Sequence, residues 1–410
     1  MRSVLFNTWA LFFGFAIIFL AHGLQGTLIG VRAKIEGFSY IHIGLVITGF
    51  YIGYLSGSVL IPFLIKRVGH VRVFAALASL ASIAILLHTL FLSPFNWFFI
   101  RILTGVSMAG IIIIMESWLN AKSNNDTRGK LLSVYLIITF VFNGLGNFLL
   151  NLSDPTKFNL FILVSLLLSF ALIPILLSVT SAPDFSNPKK TSLKELYIIS
   201  PLGFVAALMI GLAHSALFGY GAVYATSKDL SILNISFFMF LISLFGALFQ
   251  WPIGYISDKI DRRVILIGST LLAAGLCIVI VVSSYLSLFV FFILLSLYAG
   301  MSLPLYSLAI AHTNDFVEPD EIVSIAASFA ILIGIGAILG PIFAATFMTL
   351  LGADGFFVYL FIVHLGLGLF GLYRMSKRDK PDDIESQYTP LPRNISPAGM
   401  EMNPNADVEN

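Results

Sequence analysis

Apolar segments of about 20 residues, the length that crosses a bilayer as a helix, recur along this chain between short breaks of Gly, Pro, Asn or charge. Twelve can be drawn, starting near Asn7, Tyr40, Val73, Asn96, Gly129, Phe158, Ser200, Asn234, Val264, Leu286, Ile322 and Gly355. The pattern predicts an all-α integral membrane protein with twelve transmembrane helices. Between the sixth and seventh runs lies SAPDFSNPKKTSLKEL, the longest interior break, polar and rich in Pro and Ser. It divides the chain into a six-helix half over 1–180, a connecting loop over 181–198 and a second six-helix half over 199–376. The remainder, 377–410, is polar with several prolines and acids, too poor in apolar surface to fold by itself, and reads as a disordered tail.

Composition agrees. With 58% hydrophobic and 11% charged residues among 410, against about 45–50% and about 25% in soluble domains, an ordinary globular protein is excluded. The net charge of +2 is small and scattered, so no nucleic acid is expected as a partner. The lone Cys277 lies inside an apolar run, which leaves no disulfide framework and no Cys-based metal site. His88, His312 and His364 fall on different spans without metal-ligand spacing and read as packing or interfacial. Nothing resembles a phosphate-cradling loop, so neither ATP nor another cofactor is expected. Arg2 followed by an apolar run with further spans behind it reads as a retained first helix.

Charge also orients the chain. With both termini in the cytoplasm, Lys66/Arg67/Arg72, Lys122/Arg128/Lys130, Lys189/Lys190/Lys194 and Lys259/Arg262/Arg263 lie on one side with Arg2 and the bases from Arg374 onward. Arg32, Lys34, Lys157 and Lys228 fall on the other side, and Arg101 lies inside a span. The excess of Lys and Arg on cytoplasmic loops predicts this orientation.

An internal repeat sets the architecture. FLAHGLQG in the first span matches GLAHSALF in the seventh, so Leu20, Ala21 and His22 recur as Leu212, Ala213 and His214, 192 positions on. At the same offset, IPFLIKRVGH from Ile61 falls on IGYISDKIDR from Ile253. Two coincidences at one offset argue for a duplicated six-span unit, two parallel halves with a cavity between them.

The motifs resemble those of the major facilitator superfamily. In GYISDKIDRR, after span eight, Gly254, Asp258, Lys259, Arg262 and Arg263 follow its loop signature, with Asp261 where the family usually has Gly. The first-half loop PFLIKRVGHVR keeps Arg67, Gly69 and Arg72 but carries Pro62 for the Gly and Lys66 for the Asp. Further matches are Arg101 with Gly105, the Arg128-Gly129 pair, and GIGAILGP ending at Gly340 and Pro341. RILTG, MESWL, RGKLLSVY, QWPIGYISDK and LGP together are similar to the bacterial YcaD branch. Span five carries FNGLGNF instead of the Gly-Pro signature of many drug/proton antiporters. The resemblance implies a secondary transporter of the bacterial inner membrane. It also implies that Asp258 latches one conformation at a helix amino terminus, where an anion is favoured.

Arg101 and Glu116 are the fully charged side chains inside the spans, and a charge near mid-bilayer costs at least about 2.5–3.5 kcal/mol unless it faces protein or water. Both must therefore point inward. Fifteen residues of helix separate them by about 22 Å, so each needs its own partner. Arg101 is expected to face the cavity, where its fixed donors suit an anionic group on the solute; the alternative is a structural bond to neighbouring helix carbonyls. Glu116 is expected to join a gate network with Arg67, Arg72 and Arg128 near the cytoplasmic end, with proton coupling as its alternative role. The gate set also includes Gly69, Gly254, Asp258, Lys259, Arg262 and Arg263. His22 and His214 lie near mid-span in the first helix of each half, and such helices line the cavity in the family. An ordinary imidazole titrates near about 6.5, as a coupled transporter requires, though a buried histidine can equally be a packing residue kept by duplication. Gln25, Asn143, Asn147, Tyr220, Tyr224, Gln250 and Tyr306 are candidate neutral hydrogen-bonding groups of a largely apolar pocket. Gly53/Gly57 and Gly336/Gly340, four apart, allow close helix approach.

The resulting expectation is a non-enzymatic transporter moving a small solute by alternating access. An anion is one candidate cargo, protons are the candidate coupling ion, membrane lipid surrounds the chain, and a monomer is the expected state. An exporter of amphiphilic compounds is the alternative within transport. A membrane-embedded enzyme would need convergent catalytic groups, and a sensor would need a folded signalling domain; neither is visible in the sequence.

Overall fold

Each apolar run is a helix in the structure, a computed structural model that describes residues 2–178, 191–283, 285, 287–378, 386–393 and 395–407, with the backbone alone for residues 2–7 and 178. The spans, numbered one to twelve, are Thr8–Ile35, Tyr40–Val68, His70–Leu90, Pro94–Asn120, Arg128–Leu152, Asn159–Leu177, Pro201–Ser227, Ile232–Ser257, Arg262–Ser283, Leu288–Asn314, Pro319–Leu351 and Gly355–Met375. Among the described residues there is no strand. The expected connecting loop falls partly outside the described residues, with Lys189 and Lys190, as do Leu286, Lys380 and the side chain of Arg2; Leu193–Ile199 forms a short helix.

Caps set the helix ends. The Ser39 hydroxyl accepts from the His42 N–H at span two, Ser93 from Asn96 ahead of Pro94, and Ser200 from Gly203 ahead of Pro201. A serine at the cap followed by proline in the first turn satisfies donors that the helix leaves unpaired. Three spans are interrupted. Span five closes on a 3-10 turn, Asn147–Leu152; span eight breaks at Phe249 and span ten at Leu303 and Pro304. The latter two breaks adjoin Pro252 and Pro304, whose rings clash with the preceding turn.

Within each half, glycines let backbones touch. A Cβ on Gly53 would lie 2.1 Å from the Ile102 carbonyl oxygen and one on Gly105 2.0 Å from that of Phe50, so spans two and four pack at backbone contact. Spans one and five meet the same way through Gly23 and Gly146, and their duplicated counterparts, seven and eleven, through Gly211 and Gly336. Lipid offers no hydrophobic drive between helices, so this close van der Waals approach is what holds the bundle.

The halves join directly at the end carrying Lys34, Lys228 and Asp354. There the Tyr220 hydroxyl donates to the Tyr40 carbonyl, Thr48 Oγ1 to the Ile338 carbonyl at 3.0 Å, and Ser236 Oγ to the Asn147 carbonyl at 2.8 Å. A Cβ on Gly44 would sit 2.8 Å from the Tyr220 hydroxyl and 2.9 Å from the Ala345 Cβ. At the opposite, basic end the tail lies between the halves. Residues 386–393 and 395–407 are laid down there, with Leu391, Ile395, Met400 and Met402 at 1%, 5%, 0% and 0% exposure. The sequence alone suggests disorder because the segment cannot bury these side chains against one another; the structure differs because the helix walls supply the missing partner.

Gly53→Leu and Gly336→Leu are expected to cost on the order of 1–3 kcal/mol each as overpacking, whereas Gly268→Leu, whose Cβ direction is open, is expected to be near neutral. Thermal unfolding in detergent measures this. Equal midpoints for all three would remove backbone contact as the packing device.

Candidate functional site

Span four carries Arg101 into the interior two turns from its Pro94 end. Its guanidinium lies 4.4 Å from the Phe50 ring centroid, where the negative face of the ring partly replaces water. The side chain is buried, and its Nε has no hydrogen-bond partner among the described residues. Beside it is a small cleft between the halves, about 50 Å³ in volume, lined by His22, Thr27, Tyr51, Arg101, Asn143 and Asn147, with Phe218 from the second half and Arg393 from the tail. No carboxylate is among its lining residues. A buried cation with a free donor and no acid beside it is a site for an anionic or strongly accepting group.

His22 faces the same cleft, its ring 5.8 Å from that of Phe50 and its Nδ1 without a partner among the described residues. Asn147 is fixed rather than free. Its amide donates to the carbonyls of Asn143 and Gly144, both at 2.9 Å, and its Oδ1 accepts from the Thr27 hydroxyl, tying span five to span one.

The other candidates fall elsewhere. His214 does not mirror His22: its Nε2 bonds the Ser302 carbonyl at 3.1 Å, and Ser302 also holds the His364 ring at 2.9 Å, a packing cluster inside the second half. His88 packs beneath Trp97, its Nδ1 2.9 Å from the Ala84 carbonyl. Tyr220 belongs to the seal with Tyr40, and Tyr224 stacks on Phe356 and meets Phe357 edge-on in an aromatic cluster. Gln25 and Tyr306 are buried outside the cleft lining. Gln250 accepts from the Tyr388 hydroxyl of the tail.

The expected gate network around Glu116 takes another form. Its Oε1 accepts from the Tyr135 hydroxyl at 2.7 Å and its Oε2 from the Ser396 N–H at 2.8 Å, with no arginine paired to it among the described residues. Arg67 and Arg72 are exposed beside Gly69, whose φ of +87° makes the sharp turn into span three. Arg128 donates to the Pro404 carbonyl at 2.8 Å. The reason is geometric: the tail occupies the space in which these loops would meet.

The second-half signature loop does the same. Asp258 accepts from Arg262 Nη2 and from the Tyr388 N–H, both at 2.8 Å, and Arg262 also reaches Asp315 and Ser386. Asp258 thus sits on a tail backbone N–H instead of a helix amino terminus. Gly254 lies under the Tyr388 ring, Lys259 stands 3.9 Å over the Tyr255 ring, and Arg263 pairs with Asp261 at 2.7 Å. Burial pushes the Asp315 carboxyl up to about 6, against the opposing effect of Arg262 beside it.

Sequence reasoning did not single out Thr27, Phe50, Tyr51, Phe218 or Arg393 as cleft residues. Tyr51 carried one usable signal, a polar-tipped aromatic in mid-span between two glycines. Arg393 carried none, because nothing in the tail marks which cavity it enters.

A sequence profile described as the Major Facilitator Superfamily matches residues 11–310 and 235–398. The uncharacterized MFS-type transporter YcaD of Escherichia fergusonii is 25% identical over 337 residues, 82% of this chain and 87% of that protein. Among solved structures, the nucleoside transporter NupG superposes with a TM-score of 0.73 at 14% identity, over 90% of this chain and 98% of that one. A bacterial homolog of the human lysosomal transporter Spinster, inward-facing and occupied, gives 0.71 at 14% identity, over 92% and 95%. The twelve-helix fold with its interior cationic cleft and these matches lead to one conclusion: the chain belongs to the major facilitator superfamily and is a multi-pass membrane transporter, not an enzyme.

Proposed function

We propose that this transporter moves a small organic anion across the bacterial inner membrane by alternating access, the two halves rocking about the Arg101 cleft. The observation that supports this reading best is a buried guanidinium with a free donor, on a cleft between the halves that no carboxylate lines. Arg101 holds the charged group, Tyr51 and Asn143 supply placed polar atoms, and the Phe50 and Phe218 faces receive an apolar body. The excess of Lys and Arg at the basic end supports a cytoplasmic face there, which makes the seal at Tyr220 and Gly44 the outer one. His22, beside Arg101, is the candidate for proton coupling; His214 is not, since it lies outside the cleft lining, with its Nε2 bonded to Ser302.

Uptake of a panel of radiolabelled organic anions into proteoliposomes tests the site. A charge-assisted bond contributes about 1.5–3 kcal/mol, so Arg101→Ala is expected to lower kcat/KM for accepted anions by about 10- to 100-fold. Transport of every accepted anion at the wild-type rate would remove Arg101 from recognition. An imposed pH gradient is expected to accelerate uptake in wild type and in His214→Ala but not in His22→Ala; acceleration retained in His22→Ala would exclude that residue from coupling. Reporter fusions after Lys194 and Lys228 are expected on opposite sides of the membrane, the first cytoplasmic. Signals from the same side would overturn the topology.

A further inference from the structure

We propose that residues 386–393 and 395–407 form a built-in plug, a peptide ligand of the cleft between the halves that must leave before the cleft opens to the basic end. The segment is fastened at both ends and in the middle. At its start Tyr388 is held by Asp258, Gln250 and the bare face of Gly254. The Leu391 N–H donates to Ser307 Oγ at 3.0 Å and the Ser396 N–H to Glu116 at 2.8 Å. At its far end Asn120 donates to Glu401, Arg128 to the Pro404 carbonyl, and the Asp407 N–H to the Pro319 carbonyl.

Three features distinguish this from a strand of chain resting on a surface. First, it engages both halves. Glu116, Asn120 and Arg128 belong to the first, while Gln250, Asp258 and Ser307 belong to the second, so a docked tail fixes their separation at this end. Second, the fit is specific at side-chain level. Gly399 lies so close to Glu116 that a Cβ there would stand 2.7 Å from the carboxyl carbon, and a Cβ on Gly254 would stand 2.2 Å from the Tyr388 ring. Third, Arg393 penetrates to the cleft itself. Its guanidinium covers the Phe218 ring at 3.6 Å, bonds Tyr51 and the His214 carbonyl, and lines the same space as His22 and Arg101. The tail therefore takes Tyr51 and the Phe218 face, contacts that a solute would use. Because it is tethered to span twelve, it competes at high effective concentration.

The inference concerns occupancy of the cleft and does not depend on the identity of the solute, so it can fail while the transport reading stands. The test uses detergent-purified protein with Cys277→Ser and Thr139→Cys, Thr139 lying on the cleft wall beside His22 and Arg393, and a charged maleimide as probe. Truncation after Arg378 is expected to raise the labelling rate by about tenfold or more, as for a plug docked at least about nine-tenths of the time. A synthetic peptide of residues 386–407 is expected to restore protection to the truncated protein. In the full-length chain, Gly399→Val is expected to raise the rate as well, because the added side chain meets Glu116. Equal labelling rates in full-length, truncated and Gly399→Val proteins would overturn the proposal. So would failure of the peptide to slow labelling of the truncated protein.

Discussion

A guanidinium cannot sit in hydrocarbon, and that constraint on Arg101 organises the first half of this molecule. The cost of exposing it to lipid, at least about 2.5–3.5 kcal/mol, fixes which face of span four turns inward. The Phe50 ring 4.4 Å away offers partial compensation. The same rotation of span four sets Gly105 against span two, whose Gly53 answers it. The charge and the small residues thus specify one rotation of the helix by independent means, and agreement between levels of this kind marks a sequence that encodes a single packing.

The two ends of the bundle are held by different physics. At the end with Tyr220 the halves meet backbone to side chain, through glycine and short polar contacts that could be exchanged for water at modest cost. At the basic end the halves do not close on each other directly; the tail lies between them and supplies backbone donors to Glu116 and Asp258. Glu116, buried and without an arginine partner among the described residues, needs such a donor, whereas Asp258 adds one to its pair with Arg262. A family loop motif expected to latch helix against helix therefore latches helix against tail in this conformation.

Much of this was legible from the sequence. The apolar runs give the twelve spans with starts within a few residues, because helices open on polar residues ahead of the apolar run, as at Ser93-Pro94, His70 and Arg262. Arg101 could be placed in the interior because a lone charge in a span has few alternatives. The duplicated His22 and His214 looked equivalent because repetition preserves residue type but not rotation or neighbours: one faces the cleft, the other bonds Ser302. Proximity along the membrane normal, a criterion blind to a third segment entering between the loops, predicts arginine partners for Glu116. Composition predicts an unfolded tail because it reports whether a segment can bury itself, not whether another surface can bury it.

The claim that the cleft alternates between two closed ends, with the tail selecting one of them, is tested most directly by electron–electron distance measurements in nanodiscs. Spin labels at Lys157 and Leu233 report the end sealed by Tyr220, and labels at Lys66 and Lys259 report the basic end; all four positions are exposed. The account predicts one narrow distribution for each pair in the full-length chain. After truncation at Arg378 it predicts a second population in which the first pair lengthens while the second shortens. Distributions unchanged by truncation at both ends, or a lengthening of both pairs together, would contradict it.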